Sequence, residues 1–346
     1  MIFIILTAFN NFLILCFSLC SFYGIIFILP FGRFFKTMNY VFIINPVAGK
    51  GGKADDIAKK VREFFAGRED NVHVYLSKAP GDAIRFGKEY PIPEGEEVCF
   101  VACGGDGTFY ETVNGAFGRP GASFAIYPSG SGNDFIKTVG GKPEDYFDLQ
   151  KLVDGETKVF DALECNGHIC SNICNIGLDS VIADHLISYK KLPGVSGSMA
   201  YNLSVAVTVG GGLFHRLGKP MKVTFDDGEV IEERCMFSVF GNGQVYGGGY
   251  HAAPEAKLDD GLIDFCSVSE IGLLRIAKVI GIYKKGEHIG NPALADILKV
   301  RRCVSAKVES PEVLTISIDG EIFKSKTAEI KMIPGSLPFR VPAFEK

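Results

Sequence analysis

Gly104-Gly105-Asp106-Gly107-Thr108 follows the apolar run Val98-Cys99-Phe100-Val101-Ala102 and opens an amphipathic segment from Phe109 to Phe117. That order is a strand, a tight glycine turn and a helix. Glycines let the backbone approach a ligand closely, and the free N–H groups at a helix N-terminus attract anions, so the element suits a phosphate group. Asp106 stands where a Mg²⁺-phosphate would sit. Thr108 and Glu111 have the spacing of a capping box, which predicts a helix starting here.

Two further loops of this kind flank the first. Upstream, the apolar stretch Tyr40 to Ile44 runs into Asn45-Pro46-Val47-Ala48-Gly49-Lys50-Gly51-Gly52. No Lys-Ser or Lys-Thr pair follows these glycines, so this is not a Walker A loop. Gly49, Gly51 and Ala54 do match the dinucleotide fingerprint, but the strand Val72 to Leu76 ends in Ser77, where a Rossmann dehydrogenase carries an acidic residue for the ribose. Downstream, Phe124 to Tyr127 leads into Pro128-Ser129-Gly130-Ser131-Gly132-Asn133-Asp134-Phe135. Asp134 offers a second carboxylate that holds Mg²⁺ or orients an acceptor hydroxyl; the alternative is a plain cap of the following helix.

Helical spacing over Asp55 to Phe65 and Gly81 to Tyr90 alternates with these strands. The alternation predicts a parallel sheet covered by helices, with ligands at the carboxyl ends of the strands. Three loops at one sheet edge converge on a single crevice lined by glycines, small hydroxyls and two carboxylates. Phosphoryl transfer needs those parts: donors for phosphates, Mg²⁺ to neutralise charge, and a group to position the nucleophile. A kinase is therefore the leading expectation.

After Val159 the pattern changes to hairpin-like runs at Val159 to Cys165, His168 to Ile176, Met221 to Phe225, Arg234 to Phe240 and Leu262 to Val268. Turns such as Asn166-Gly167 and Asp226-Asp227-Gly228 separate them, predicting a second, mainly antiparallel domain. Helical pieces are expected near Met199 to Val209 and Ile271 to Ile282. The former reads as core, and the loop Tyr189-Lys190-Lys191-Leu192-Pro193 as solvated.

The 346 residues are 47% hydrophobic, enough for a sizeable core divided over two domains. The net charge of −4, without a long basic run, gives no reason to expect nucleic acid as a partner. Ten cysteines are spread without a C-x-x-C pair, and several lie in apolar runs, which favours reduced core thiols over disulfides. Cys165, Cys170 and Cys174 fit no standard zinc spacing, and the six histidines share no ligand spacing. Residues 1–37 form an apolar leader without charge before Arg33, long enough to span a bilayer, with basic residues on its C-terminal side. Two readings of it stay open: a membrane anchor that keeps the main body in the cytoplasm, or upstream sequence outside the natural protein, whose first strand follows Met38.

Asn45-Pro46 with Gly49-Lys50-Gly51, the GGDGT stretch followed by Glu111 and Asn114-Gly115, and the PSGSGNDF stretch of 128–135 together resemble the diacylglycerol kinase catalytic-domain family, which includes bacterial lipid kinases and sphingosine and ceramide kinases. GGDGT alone is shared with NAD kinases and nearly with phosphofructokinases, whereas the Asn-Pro opening and the Gly-Ser-Gly-Asn-Asp loop narrow the likeness to lipid kinases. Asn175-Ile176-Gly177-Leu178-Asp179, Tyr246-Gly247-Gly248-Gly249 with Ala253-Pro254, and Asp260-Gly261-Leu262 extend it, so that it runs from Asn39 to about Pro342.

The resemblance implies an α/β N-terminal domain of the NAD-kinase and phosphofructokinase kind, residues 38–160 plus 325–346. A mainly antiparallel β-sandwich over 161–324 would hold the lipid acceptor, and the last strands, near Thr327 to Met332 and Phe339 to Val341, would return to the first domain. It implies ATP contacts at Asn45, Pro46, Val47, Ala48, Gly49, Ser77, Gly104, Gly105, Asp106, Gly107, Thr108, Phe109, Tyr110 and Ser131. Ser131 stands where the family often has threonine. Asp106 would act in the Mg²⁺·ATP network, Asp134 near the acceptor, and Glu321 of Ile318-Asp319-Gly320-Glu321 as the base that takes the hydroxyl proton. A structural Mg²⁺ would be held by the Asp260 carboxylate and the carbonyls of Lys257 and Leu262.

The expected activity is transfer of the γ-phosphoryl of ATP to a lipid hydroxyl, with diacylglycerol giving phosphatidic acid, by an enzyme peripheral to the inner face of the membrane and a homodimer as a candidate assembly. NAD or another lipid as acceptor is one alternative. A regulatory protein that binds lipid or nucleotide without turnover is another.

Overall fold

Apolar residues run unbroken through Tyr40–Ile44, Val98–Cys103 and Ala122–Tyr127 apart from Ser123, the pattern of strands covered on both faces, and these three strands lie side by side. The structure is a computed structural model that describes residues 3–9, 12–18, 25–30, 38–49, 52–130, 132–189, 199, 203–204, 206–208, 210 and 216–344. Residues 1–38 and 39–346 are separate compact units.

In the first unit, β1 (Phe3–Phe9), β2 (Phe12–Ser18) and β3 (Ile25–Pro30) form an antiparallel sheet in that order. The spanning segment expected of the leader is thus not a helix where it is described, consistent with its richness in Ile and Phe, which favour strands. Among the described residues no helix is long and apolar enough to cross a membrane.

The second unit opens with β4 (Asn39–Ile44), α1 (Ala54–Phe65), β5 (Asn71–Leu76), α2 (Asp82–Glu89), β6 (Val98–Gly104), α3 (Asp106–Ala116) and β7 (Ala122–Pro128). The four strands are parallel in the order β5-β4-β6-β7. Their register brings Ile44 level with Leu76 and Cys103, and Gly104 level with Pro128. All the glycine loops therefore leave the sheet at one height. The chain runs from β4 to β5 on one side and then to β6 on the other, which leaves a crevice between the loops after β4 and β6.

Three short helices follow, α4 (Asp134–Val139), α5 (Pro143–Phe147) and α6 (Leu149–Asp154). Beyond the first turn of α4 these are absent from the sequence reading. They are too short for a clear apolar period and depend on local caps: the Asp148 carboxylate, for instance, accepts the N–H groups of Gln150 and Lys151 at 2.8 and 3.2 Å.

The remaining elements are β8 (Glu156–Cys165), β9 (His168–Cys170), β10 (Ile173–Gly177), α7 (Leu178–Tyr189), β11 (Lys219–Phe225), β12 (Val230–Gly241), β13 (Ile263–Ser269), α8 (Leu273–Lys284), β14 (Leu298–Cys303), β15 (Ser305–Ile318) and β16 (Glu321–Val341). The strands after β8 pair antiparallel with one another, as the hairpin signals predict. The two separate last strands expected at 327–332 and 339–341 are one strand: β16 pairs with β15 near its start, with β8 farther on, and parallel to β7 at Phe339 opposite Phe124. Its register shifts between Ile333 and Leu337, where Pro334 and Gly335 interrupt the ladder.

Phe339 also packs edge-on against Phe109 and Phe135, at 5.8 and 5.2 Å between ring centres, with Phe160 6.1 Å away. This aromatic cluster ties α3 and α4 to β8 and β16. Burial of each such ring contributes roughly 1.5–3 kcal/mol. A polar residue at Phe339 would therefore loosen both helices that carry Asp106 and Asp134. The eight cysteines from Cys99 to Cys303 are all buried free thiols, as expected.

Candidate active site

The first loop is closed by its own asparagine. Asn45 Oδ1 accepts the Val47 N–H at 3.1 Å, and its Nδ2 donates to Thr108 Oγ1 at 3.1 Å, linking the first loop to the second. Contact between loops is made by bare backbone. A Cβ on Gly130 would lie 2.3 Å from Gly105 Cα, and one on Gly49, whose φ is +63°, would lie 2.5 Å from the Ser129 carbonyl oxygen. Glycine at these positions is a steric requirement. Asn45, Pro46, Val47, Ala48, Gly49, Ser77 and the Gly104–Tyr110 stretch thus stand at one sheet edge; Ser131 lies outside the described residues.

The capping box expected of Thr108 and Glu111 does not form. Helix α3 begins at Asp106, so Thr108 lies inside it, and the Glu111 carboxylate instead accepts the N–H groups of Gly81 and Ala83 at the start of α2 at 2.7 and 3.2 Å. A neighbouring helix competed successfully for that carboxylate.

Asp106 is held by the third loop, its Oδ2 and Oδ1 accepting the N–H groups of Asn133 and Asp134 at 2.8 and 2.6 Å. Burial, then the nearby charges of Asp134 and Asp319, push its pKa up to about 6 against the opposing pull of those hydrogen bonds. Asp134 is buried between Lys137 Nζ, 2.6 Å from Oδ1, and the N–H of Gly248, 2.8 Å from Oδ2. It is more than a helix cap.

Asp319 joins these two. Its carboxylate accepts the N–H groups of Ser171, Asn172 and Ile173 and the hydroxyl of Ser171, all within 3.0 Å, and the Cys170 thiol at 3.2 Å. Asp319 has φ +49°. Burial raises its pKa despite these donors. The sequence signal for Asp319 was only its place in an Asp-Gly turn; Lys137 and Gly248 gave none beyond a three-residue spacing from Asp134 and a glycine-rich stretch.

Glu321 begins β16 beside α3, so close that a Cβ on Gly107 would meet its Oε1 at 2.9 Å. No described residue donates a hydrogen bond to its carboxylate, and burial together with the Glu111 charge raises its pKa. Its carboxylate therefore holds a proton more strongly than an ordinary glutamate and lies beside Gly107, the residue that follows Asp106. Tyr110, whose hydroxyl is 2.9 Å from His168 Nδ1, lies within the reach of the same charge.

A cavity of about 740 Å³ extends from Asp106, Asp134 and Asp319 into an apolar interior. Its far walls come from α7 (Ile182, Leu186) and α8 (Ile276, Val279). Helix α7, beyond its opening Leu178-Asp179, went unread in the sequence because its apolar residues do not settle on one face. Asp179 and Tyr246, bonded at 2.8 Å, are a polar pair within this lining.

Asp106 and Asp134 fit a Mg²⁺ that arrives bound to nucleotide phosphates: burial first, and the neighbouring Asp134 and Asp319 charges after it, push Asp106 up, and a cation offsets both. The expected structural site does not fit. Asp260 is already paired with Arg302, and its other oxygen accepts the Leu262 N–H at 3.2 Å; Lys257 is exposed. Among the described residues no group of three His, Cys, Asp or Glu is placed to hold a metal.

A domain described as "Diacylglycerol kinase catalytic domain" matches residues 39–165, and the "YegS C-terminal NAD kinase beta sandwich-like domain" matches residues 177–341. A Pseudomonas aeruginosa protein named "Probable lipid kinase YegS-like" is 31% identical over 282 residues, covering 80% of this chain and 86% of its own. The chain belongs to the diacylglycerol and lipid kinase family. The "Diacylglycerol kinase" of Bacillus subtilis is 28% identical, covering 81% of this chain and 88% of its own. A crystal structure of a diacylglycerol kinase from Bacillus anthracis str. Sterne, 23% identical, shares the fold with a TM-score of 0.64 over 90% of this chain and all of that one. The parallel sheet and antiparallel β-sandwich are thus the family's architecture.

Proposed function

We propose that this chain transfers the γ-phosphoryl of ATP to a primary hydroxyl of a lipid, with diacylglycerol as the acceptor and phosphatidic acid as the product. The observation that carries this reading is the cavity that joins the Asp106, Asp134 and Asp319 carboxylates to an apolar interior. A hydroxyl at the polar end and acyl carbons along α7 and α8 would fill it with matching chemistry. Nicotinamide dinucleotide, polar throughout, would not.

In this reading the Asn45–Gly49 and Gly104–Tyr110 loops and the loop after β7 bind the phosphates through backbone N–H groups, with Ser77 beside them. Mg²⁺ arriving with ATP would be held by Asp106 and Asp134 and supplies charge neutralisation at the phosphates. Glu321 takes the proton of the acceptor hydroxyl as its oxygen attacks phosphorus, and Asp134, steadied by Lys137 and Gly248, orients that hydroxyl. Asp319 positions Glu321, two residues away, by anchoring the turn to 170–173. Positioning and charge stabilisation dominate the rate.

Access from a membrane surface is supported by Met199, Leu203 and Val207, exposed at four-residue spacing in helical conformation, and by Ile187, exposed and also part of the cavity wall. The segment expected to be core therefore presents apolar side chains outward. The test is transfer from labelled ATP to a crude lipid extract with products resolved by mass. Labelled phosphatidic acid is expected. Nucleotide binding without transfer to any lipid would favour a regulatory protein instead.

A further inference from the structure

The turn Asp259-Asp260-Gly261-Leu262 brings Asp260 close to Asp264, and Asp161 reaches it from β8. Carboxylates grouped in this way repel one another unless a cation stands among them. Arg302 of β14 is in contact with Asp260 Oδ2 and lies 3.3 Å from Asp264 Oδ2. Its place is set by the sheet, for Arg302 is directly opposite Asp264 in the β13–β14 ladder. Backbone donors take the other oxygens of Asp260 and Asp161: Asp260 Oδ1 accepts the Leu262 N–H at 3.2 Å, and Asp161 accepts the N–H groups of Gly261 and Gly335, both at 2.7 Å.

We propose that Arg302 is the built-in counter-ion of this turn, replacing the divalent cation that the family likeness assigns to Lys257, Asp260 and Leu262. Mg²⁺ requires oxygen ligands at about 2.0–2.1 Å in near-octahedral order, so it could reach Asp260 only by displacing the guanidinium. Arginine keeps its charge at every working pH, which makes the compensation independent of ambient Mg²⁺. Asp161 also ties the turn to Gly335, where β16 bends along β8. The bend is thereby held without metal, and the Mg²⁺ requirement of the chain is confined to the nucleotide site.

The test reads stability of the full chain without nucleotide, so it is independent of whether the chain phosphorylates lipid. Wild-type Tm is expected to be the same in EDTA and in MgCl₂, and elemental analysis after gel filtration is expected to find no stoichiometric divalent ion. Arg302→Met keeps the apolar stem and removes the charge. Its Tm in EDTA is expected to fall and to recover by a few degrees as Mg²⁺ is added, a recovery absent from Arg302→Met/Asp260→Asn. The proposal is overturned by a wild-type Tm that drops in EDTA, by one tightly held divalent ion per wild-type chain, or by an Arg302→Met chain indifferent to Mg²⁺. If Arg302→Met does not fold, the two wild-type measurements decide.

Discussion

Asp106 Oδ1 accepts the backbone N–H of Asp134 at 2.6 Å. This bond joins the second glycine loop to the third and places the two carboxylates on one side of the crevice. Asp106→Ala removes both that tie and a charge that would hold Mg²⁺. Transfer to lipid is expected to fall by about 10²- to 10³-fold or more, the scale for loss of a preorganised electrostatic group. Full activity of the Ala variant in a labelled-phosphate assay would reject the assignment.

The pKa of Asp106, raised from 3.8 to about 6, makes a pH prediction for stability. The folded state binds this proton more tightly than the unfolded state, so the contribution of the protonated group is fully present below pH 3.8 and is lost as pH rises through about 6. At neutral pH, with no nucleotide bound, the ionised carboxylate costs on the order of 3 kcal/mol. Urea unfolding should therefore show Asp106→Asn gaining on wild type between pH 4 and pH 7.5. A difference constant over that range contradicts the perturbed pKa.

Glu321→Gln removes the proposed base and leaves its volume. A decrease in kcat of about 10²- to 10⁴-fold with little change in the KM for ATP is expected. Because the Glu111 charge helps to raise the Glu321 pKa, Glu111→Gln should move the acidic limb of the kcat profile to lower pH. An unmoved limb would show that another group titrates there.

Ala183 lines the apolar cavity from α7. Ala183→Phe fills part of it and is expected to raise the KM for lipid at least several-fold, at an overpacking cost of about 1–3 kcal/mol. Nucleotide affinity, read by calorimetry, should not change. Equal loss of both affinities would point to general damage and against a lipid cavity.

Gly130→Ala drives a methyl group to within 2.3 Å of Gly105 Cα. The two loops must part, and nucleotide binding is expected to be lost while the antiparallel sheet persists by circular dichroism. Binding preserved in this variant would show that the loops do not jointly form the site.

Much of the site was legible because phosphate loops depend on residue types that act through backbone. Glycines at 49, 104, 105 and 130 mark close approach wherever they stand, and the strands before them are continuous apolar runs. The order strand, glycine loop, helix identified the crevice before any contact was known. Asp319, Lys137 and Gly248 were not legible, since an Asp-Gly turn, a surface lysine and a glycine loop are common in structures without such roles. Their importance lies in what they touch. The same holds for Glu111, whose capping-box spacing was correct in pattern and overridden by α2.

The amino-acid pattern by itself determined a parallel sheet edge with three converging glycine loops, an antiparallel second half, and the family to which both belong, because periodicity and glycine placement are local properties. Only the tertiary structure decided that β16 is one strand running past the β15, β8 and β7 ladders, that Asp106, Asp134 and Asp319 face one apolar cavity, and that Arg302 occupies the Asp260 turn. Each of these joins residues distant in sequence, and contacts of that range depend on sheet register and packing, which no local pattern encodes.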